Sequence, residues 1–255
     1  MSEFRSTTRD IIKLTEQVSG FPVVVQPEPR LSLLGAMRAA RGNQPGHVVF
    51  YKPYIGTQPD YVICHQCGYI LRKFLVPPAD MVDMGPDEQG RAAVRALVES
   101  GGIATGEEQI ASLTDGLLSG VLTQLLSVPV GLRIAEWLHQ EYPDLHELQV
   151  DYAEREIREA KEILRRKIRE VSPPPIYYAS VTMNAAVALH WAELLRRPGL
   201  GTGWPAENEA KAKELLVLWH DLPEEPEHDR ALIDRWGEEL GLRDWYSWVP
   251  YRRPA

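Results

Sequence analysis

The sequence predicts an α+β protein that is mainly helical, with its strands confined to the N-terminal third. Apolar residues recur every three to four positions through most of the 255-residue chain, which is the spacing of amphipathic helices. Two short valine-rich runs, Phe21 to Gln26 and His47 to Tyr51, have the composition of buried strands. An apolar fraction of 44% is enough to bury a core without disulfide bonds.

The chain up to residue 75 is predicted to alternate between helices and strands. The predicted order is a helix over residues 7–18, a strand over 21–26, a helix over 31–40, a strand over 47–51 and a helix over 60–75. Gly20 and Gly42 follow the first two helices, where glycine commonly ends a helix. Pro59 favours a helix start at Asp60, because the N–H that proline lacks has no acceptor in the first turn.

After a crossing loop at residues 76–85, the rest of the chain is predicted to be helical. We expect helices over residues 87–99, 105–127, from 129 onward, 144–172, 176–195, 206–219 and 229–240. Thr105 and Glu108 have the spacing of a capping box, and a run of three prolines from Pro173 ends the longest helix. An aromatic tail over residues 245–251 is expected to pack back onto the protein.

We divide the chain into two regions on this pattern. Residues 1–142 form the mixed α+β region, and residues 143–255 form a helical region that ends in the aromatic tail. The pattern leaves open whether the second region is a separate domain or one layer of a shared core.

Charge and composition exclude several classes of function. The chain carries 36 acidic and 28 basic side chains, and its net charge of −8 would repel a polyanion, so we expect no nucleic-acid partner. The first twenty residues lack the apolar core of a secretory signal, and the weakly polar stretch 176–195 contains too many polar residues for a membrane span. We therefore predict a cytoplasmic protein without membrane insertion, whose oligomeric state the sequence does not indicate.

The chemically suggestive segment is Cys64-His65-Gln66-Cys67-Gly68-Tyr69 in the helix predicted over residues 60–75. Zinc peptidases of the HExxH type place two histidines one helical turn apart to bind one metal ion, with the intervening glutamate as general base. In this chain His65, Gln66 and Tyr69 stand at the positions of the first histidine, the glutamate and the second histidine. His65 and Tyr69 are four residues apart, so they project from one face of the helix.

This segment and the elements before it resemble the zincin domain of ImmA/IrrE-type metallopeptidases. The resemblance covers about residues 1–126 and depends on the predicted order of helix, strand, helix, strand and motif helix, together with His65 and Gly68. The run from His47 to Pro53, followed by a gap and Tyr-Val-Ile-Cys-His, is also similar to the edge strand, loop and motif helix of that family. The resemblance implies a third, acidic ligand from a later helix, for which Asp115 is the nearest candidate by position.

Two residues depart from the family pattern. Gln66 cannot accept a proton from a metal-bound water, and a neutral Tyr69 is a poor zinc ligand. We therefore predict a catalytically inactive, metallopeptidase-like protein that binds or regulates a protein partner and needs no cofactor, although zinc is possible. His65, Gln66, Tyr69 and Asp115 would form the remnant of the site. If the chain is active after all, the resemblance implies a zinc-dependent metallopeptidase.

An alternative interpretation starts from the two cysteines. Cys64 and Cys67, followed by a glycine, are similar to the knuckle of a zinc ribbon or rubredoxin, in which both thiolates bind zinc or iron. The site would be completed by a histidine such as His65 or His47, or by a second chain that donates its own pair. A redox dithiol and simple apolar packing of the two thiols are further alternatives.

Overall fold

A computed structural model describes residues 4–53, 58–102 and 106–254. The α-helices are α1 (Ser6–Ser19), α2 (Asp60–Leu75), α3 (Glu88–Ser100), α4 (Glu107–Glu141), α5 (His146–Ala160), α6 (Arg166–Val171), α7 (Pro174–Leu194), α8 (Ala206–Asp221) and α9 (Asp229–Glu239). The strands are β1 (Val23–Pro27), β2 (Gly35–Arg38), β3 (His47–Tyr51), β4 (Val82–Pro86) and β5 (Tyr246–Pro250). With 67% of residues helical and 11% in strands, the predicted mainly helical α+β class is confirmed.

The chain forms two compact units, each assembled from separate segments. The first unit contains residues 1–82, 131–156 and 250–255, and the second contains residues 83–130 and 157–249. This division differs in kind from the predicted consecutive regions 1–142 and 143–255, because helices α4 and α5 contribute residues to both units.

A three-stranded sheet lies in the first unit. Its strand order is β1, β3, β2, with β1 parallel and β2 antiparallel to the central β3. Val49 of β3 is fully buried, and α2 contacts both β2 and β3. Helix α1 packs along α2, and Ile11 of α1 and Ile63 of α2 are both fully buried. The burial of these apolar faces holds α2 at the centre of the unit.

The predicted helix over residues 31–40 is wrong, because the chain forms strand β2 there. Ala36 pairs with Phe50, and Met37 pairs with Val49, across the antiparallel ladder. A helix of ten residues has fewer than three turns and little stability of its own, whereas pairing with β3 satisfies backbone groups along the strand. The order before the motif helix is therefore helix, strand, strand, strand, which corrects the order on which the family resemblance partly depends.

The second unit is a helical assembly around α7. The predicted buried helix over residues 176–195 is confirmed, since α7 buries Val181, Met183 and Trp191. Two of its polar side chains bond to neighbouring helices: Thr182 accepts from the Asn208 amide at 2.8 Å, and the Asn184 side-chain oxygen accepts from the Gln124 amide at 2.8 Å. Buried polar groups that are paired in this way cost little stability.

Three further helix predictions need correction. Helix α4 continues through Pro129, so the predicted pair of helices is one helix of 35 residues. The predicted single helix over residues 144–172 is divided, because the backbone at Arg165 is extended (ψ 133°) between a 3-10 turn and α6. Nothing in the apolar pattern marks this break.

The predicted loop over residues 76–85 contains most of β4. Thr105 of the predicted capping box lies outside the described residues.

Helix α4 is also long and apolar enough, by length and composition alone, to cross a membrane. Core helices of soluble proteins share this property, and 56% of its most apolar 18-residue window is buried. The expected absence of membrane insertion remains a prediction.

The aromatic tail packs within both units. In the second unit Tyr246 is 1% exposed and its hydroxyl donates to Asp234 Oδ1 at 2.8 Å, while the Trp248 indole N–H donates to the same oxygen at 2.9 Å. In the first unit the backbone N–H of Tyr251 donates to Met81 at 3.0 Å, and its ring contacts Phe74 edge to face. The prediction that the tail packs back onto the protein is confirmed.

Candidate functional site

The helical prediction for the motif segment is confirmed. Helix α2 begins at Asp60 directly after Pro59, and residues 64–69 lie in its middle. The Asp60 carboxylate accepts hydrogen bonds from the Arg5 backbone at 2.8 Å and the Thr8 hydroxyl at 2.6 Å, which fixes the start of α2 against the start of α1. The helix then presents different residues to its neighbours on opposite sides.

His65 lies in the interior of the first unit, with 5% of its surface exposed. Its Nε2 is 3.2 Å from the Gly131 carbonyl oxygen on α4. Because a carbonyl only accepts, Nε2 carries the hydrogen and the lone pair is on Nδ1, which has no hydrogen-bond partner among the described residues. Burial lowers the pKa of His65 to about 4, so the ring is neutral at physiological pH.

Tyr69 lies one turn after His65, as the spacing predicts. The two rings meet edge to face with their centroids 5.3 Å apart. The Tyr69 hydroxyl is enclosed at Gly131, where a Cβ atom would approach it to 2.4 Å. Burial, reinforced by the negative charge of Glu156, raises the pKa of Tyr69 well above its usual value. The phenol therefore remains protonated and is a poor metal ligand.

Gln66 points toward strand β2 and is 7% exposed. A Cβ atom at Gly35 would lie 3.2 Å from Gln66 Cγ and 2.5 Å from Val62 Cγ1, so the strand backbone passes directly over α2 at this glycine. The amide of Gln66 is neutral at every accessible pH and cannot act as a general base.

Asp115 occupies a different setting from the one predicted. It belongs to the second unit, where its side chain is 55% exposed on α4 and forms an ion pair with Arg91 of α3. Exposed pairs of this kind are common on helix surfaces and contribute little to stability.

A carboxylate that acts on Tyr69 within the first unit is Glu156 of α5. The Tyr152 hydroxyl donates to Glu156 Oε1 at 3.2 Å, and the charge of Glu156 helps to raise the pKa of Tyr61, Tyr69 and Tyr152. Sequence reasoning missed Glu156 because it lies in a highly charged helix with many similar residues. Its spacing of four from Tyr152 is the one local signal that could have indicated it.

Three aromatic side chains enclose His65 in a compact cluster. The Tyr61 ring lies 5.9 Å from His65 and 5.0 Å from Tyr152, and Tyr152 lies 5.6 Å from His65. The Gln149 amide donates to the Tyr61 hydroxyl at 3.3 Å and to a backbone carbonyl at 2.8 Å. We call His65, Tyr61, Tyr69, Tyr152 and Glu156 the His65 cluster. Aromatic packing and the hydrogen bonds of the Tyr61 and Tyr152 hydroxyls hold it in one arrangement.

Cys64 and Cys67 are on the opposite side of α2, facing α1. Both are fully buried, and the Cys64 thiol donates to the Thr8 hydroxyl at a sulfur–oxygen distance of 3.6 Å. Burial raises the pKa of Cys67 to about 12 and that of Cys64 further, so both remain thiols at neutral pH. The pair lies in mid-helix, not in the turn of a zinc knuckle, and His65 faces the other way. In the part of the chain that the structure describes, no three His, Cys, Asp or Glu side chains are grouped to hold a metal ion.

A cleft of about 220 Å³ opens beside the His65 cluster within the first unit. Its buried wall contains Leu34, Tyr61 and Tyr152, and the more exposed Lys52 and Arg155 also line it. The cleft lies next to the end of β3, the start of α2 and the middle of α5. Tyr61 and Tyr152 therefore belong both to the His65 cluster and to the wall of the cleft.

A comparison of the chain with known protein families, curated proteins and solved structures finds no match.

Proposed function

We propose that this protein is a catalytically inactive, zincin-like protein that acts by binding a protein partner. The observation that carries the proposal is the set of residues at the HExxH positions of α2. His65, Gln66 and Tyr69 lie at those positions, but the set lacks a general base and a second imidazole. The resemblance to ImmA/IrrE-type metallopeptidases supports the origin of the arrangement, and the replaced residues support its inactivity.

The donor atoms of the His65 cluster do not fit a catalytic zinc ion. Such sites use three protein ligands, usually imidazole or carboxylate groups, and leave one position open for water. Here His65 offers one lone pair, Tyr69 is a protonated phenol, and Glu156 already accepts a hydrogen bond from Tyr152. We therefore assign no hydrolytic step, and the cluster acts as a rigid wall for the neighbouring cleft.

The first test is an assay for proteolysis in the presence of different metals. Purified protein is incubated with casein and with fluorogenic peptides in zinc, cobalt or manganese, with and without a chelator. We expect no cleavage above the chelator-treated control, since Gln66 cannot take a proton from water. Cleavage that the chelator abolishes would overturn the proposal of inactivity.

A restoration experiment tests the zincin-like arrangement itself. The double variant Gln66→Glu/Tyr69→His places a second imidazole one turn after His65, and we expect it to bind about one zinc ion per chain. Gln66→Glu alone is the matched control, because it adds a charge without a second imidazole. Equal zinc uptake by the double variant, the control and the wild-type protein would contradict a zincin-like site.

Elemental analysis of protein purified without added metal separates this proposal from the cysteine-based alternative. About one zinc or iron per chain, or half that in a shared site, favours the alternative. In that case Cys64→Ser/Cys67→Ser should release the metal. Under our proposal the same variant changes only packing, and its metal content equals that of the wild-type protein.

A further inference from the structure

The cleft beside the His65 cluster has a definite size. Its volume of about 220 Å³ is below the roughly 300–1,000 Å³ that is typical of sites for drug-sized ligands. The space suits one group of about the size of a single amino acid residue. Pockets of this size commonly receive one anchoring side chain at the centre of a protein interface.

The wall of the cleft is aromatic and apolar. Tyr61 is 1% exposed and Tyr152 is 8% exposed, so their positions are fixed by the surrounding protein. Their hydroxyl groups are engaged, Tyr61 as acceptor from Gln149 and Tyr152 as donor to Glu156. The apolar surface left for a ligand belongs to lining residues that are only half-buried, among them Phe4, Tyr51 and Leu148. Such a wall favours a flat apolar group that stacks against the rings.

The charged residues that line the cleft are basic. Lys52 follows the end of β3, and Arg155 lies three residues after Tyr152 on α5. Neither an aspartate nor a glutamate lines the cleft in the part of the chain that the structure describes. Lys52 and Arg155 already interact with other groups of the protein, and a carboxylate placed here would be an additional partner for both. Arginine in particular recognises carboxylates through parallel hydrogen bonds.

We propose that this cleft binds an aromatic group that carries a carboxylate, of the size of one amino acid residue. The inference deepens the proposed function, on which it rests, because it names the chemistry of the partner at the same site. The aromatic ring packs against Tyr51 and Leu148 over a floor formed by Tyr61 and Tyr152, and the carboxylate contacts Lys52 and Arg155. A protein chain that ends in an aromatic residue and a free aromatic carboxylate share this chemistry.

The test is binding to the wild-type protein measured by isothermal titration calorimetry. The probes are N-acetyl-phenylalanine and its carboxamide, which differ in charge but hardly in shape, together with N-acetyl-glycine, which lacks the ring. A probe of about 15 non-hydrogen atoms should bind with a Kd on the order of 1 mM. We expect the carboxamide to bind at least about tenfold more weakly, because it loses the charge-assisted contacts. N-acetyl-glycine should show no binding.

Two substitutions locate the binding in the cleft. Lys52→Gln and Arg155→Gln should each weaken N-acetyl-phenylalanine by about tenfold. Arg158→Gln on the same helix is the matched control and should leave the affinity unchanged, since Arg158 does not line the cleft. Circular dichroism melting of each variant checks that the fold is retained. Equal affinity for the acid and the carboxamide, or equal weakening by Arg158→Gln, would overturn the inference.

A comparison of longer and shorter probes identifies the source of the group. Tighter binding of a five-residue peptide that ends in phenylalanine supports a protein chain end, and tighter binding of 3-phenylpropanoate supports a free small molecule. This outcome is independent of the proteolysis assay. An inactive protein that binds none of the probes overturns the inference and leaves the proposed function standing. Chelator-sensitive cleavage overturns the proposed function and, with it, the assignment of the bound group to a regulatory partner.

Discussion

The two faces of helix α2 place their polar side chains in different surroundings. On the face toward α1, Cys64 and Cys67 are thiols that fill an apolar interface and form weak hydrogen bonds to threonine hydroxyls. On the face toward α4 and α5, His65 and Tyr69 contact Gly131 and the carboxylate-bearing helix α5. The first face resembles an ordinary protein core. On the second face one nitrogen of the His65 ring has no partner among the residues that the structure describes.

This difference makes the histidine face of α2 the better candidate for a functional site. Core packing accounts for the cysteine face completely, so that face needs no ligand to explain its residues. A buried imidazole nitrogen without a partner costs stability, and residues of that kind concentrate at functional sites. The histidine face is also the one that borders the cleft. The following predictions test whether that face is as closely packed as the structure indicates, and how much its buried groups lower the free energy of unfolding.

The largest effect is expected at Gly68, where α2 packs closely against α4. A Cβ atom at this position would lie 2.4 Å from Ile134 Cγ2 and 3.1 Å from its Cγ1. Both helices would have to separate, because Ile134 is a branched and fully packed side chain. We expect Gly68→Ala to lower the free energy of unfolding by about 3 kcal/mol, measured by urea denaturation.

Gly116 provides the matched control for this substitution. It also lies inside an α-helix, but a Cβ atom there would meet nothing within 4 Å. Gly116→Ala should therefore raise stability by up to about 1 kcal/mol through helix propensity alone. Equal effects of the two substitutions would show that α2 and α4 do not pack as closely as the structure indicates.

An effect of comparable size, which depends on pH, is expected from the burial of His65. Its pKa is about 4 in the folded protein and about 6.5 when the chain is unfolded. Between these values the unfolded chain binds more protons, so stability is fully present above pH 6.5 and is lost as the pH falls toward 4. Protonation of His65 in the unfolded chain lowers the free energy of unfolding by up to about 3 kcal/mol between pH 6.5 and pH 4.

The variant His65→Gln isolates this contribution, because glutamine can donate to the Gly131 carbonyl but does not titrate. Its stability should fall less between pH 7 and pH 4 than that of the wild-type protein, as followed by urea denaturation at each pH. His47 and His190, whose pKa values are also lowered to about 4 by burial, are present in both proteins and cancel in the comparison. Identical pH profiles would mean that His65 is accessible to solvent.

Sequence patterns predicted the parts of this fold that depend on local periodicity. Helices α1, α2 and α7 were placed to within two residues at each end. Helices α1 and α2 carry an apolar stripe, α7 is apolar on most sides, and each helix has a proline or glycine at one boundary. Strand β2 was assigned as a helix because its pairing partner, β3, decides its structure, and the partner is not visible in the local pattern. The predicted helix boundary at Pro129 was wrong for a similar reason. Proline alone would interrupt a helix, but packing against the rest of the protein keeps α4 continuous through Pro129.

The candidate site was predictable in its helix and not in its surroundings. His65, Gln66 and Tyr69 follow from the spacing of the motif, and their common helix is confirmed. Glu156 and the cleft arise from contacts with α5, which depend on how distant segments meet. Asp115 was chosen by position along the chain, and that criterion carries no information about which face of α4 a residue occupies.

The smallest effect is expected where Tyr69 meets Gly131, and it appears as a coupling between two substitutions. Gly131→Ala alone should lower stability by about 1 kcal/mol, because the new methyl group would lie 2.4 Å from the Tyr69 hydroxyl. In a Tyr69→Phe background the nearest remaining atoms, Cζ of residue 69 and Cε1 of His65, are 3.5 Å away, which is ordinary contact. There the same substitution should be neutral or stabilising by up to about 1 kcal/mol, since alanine favours the helix. A double-mutant cycle that gives a coupling of about 1–2 kcal/mol would place the hydroxyl against Gly131, and strictly additive effects would place it elsewhere.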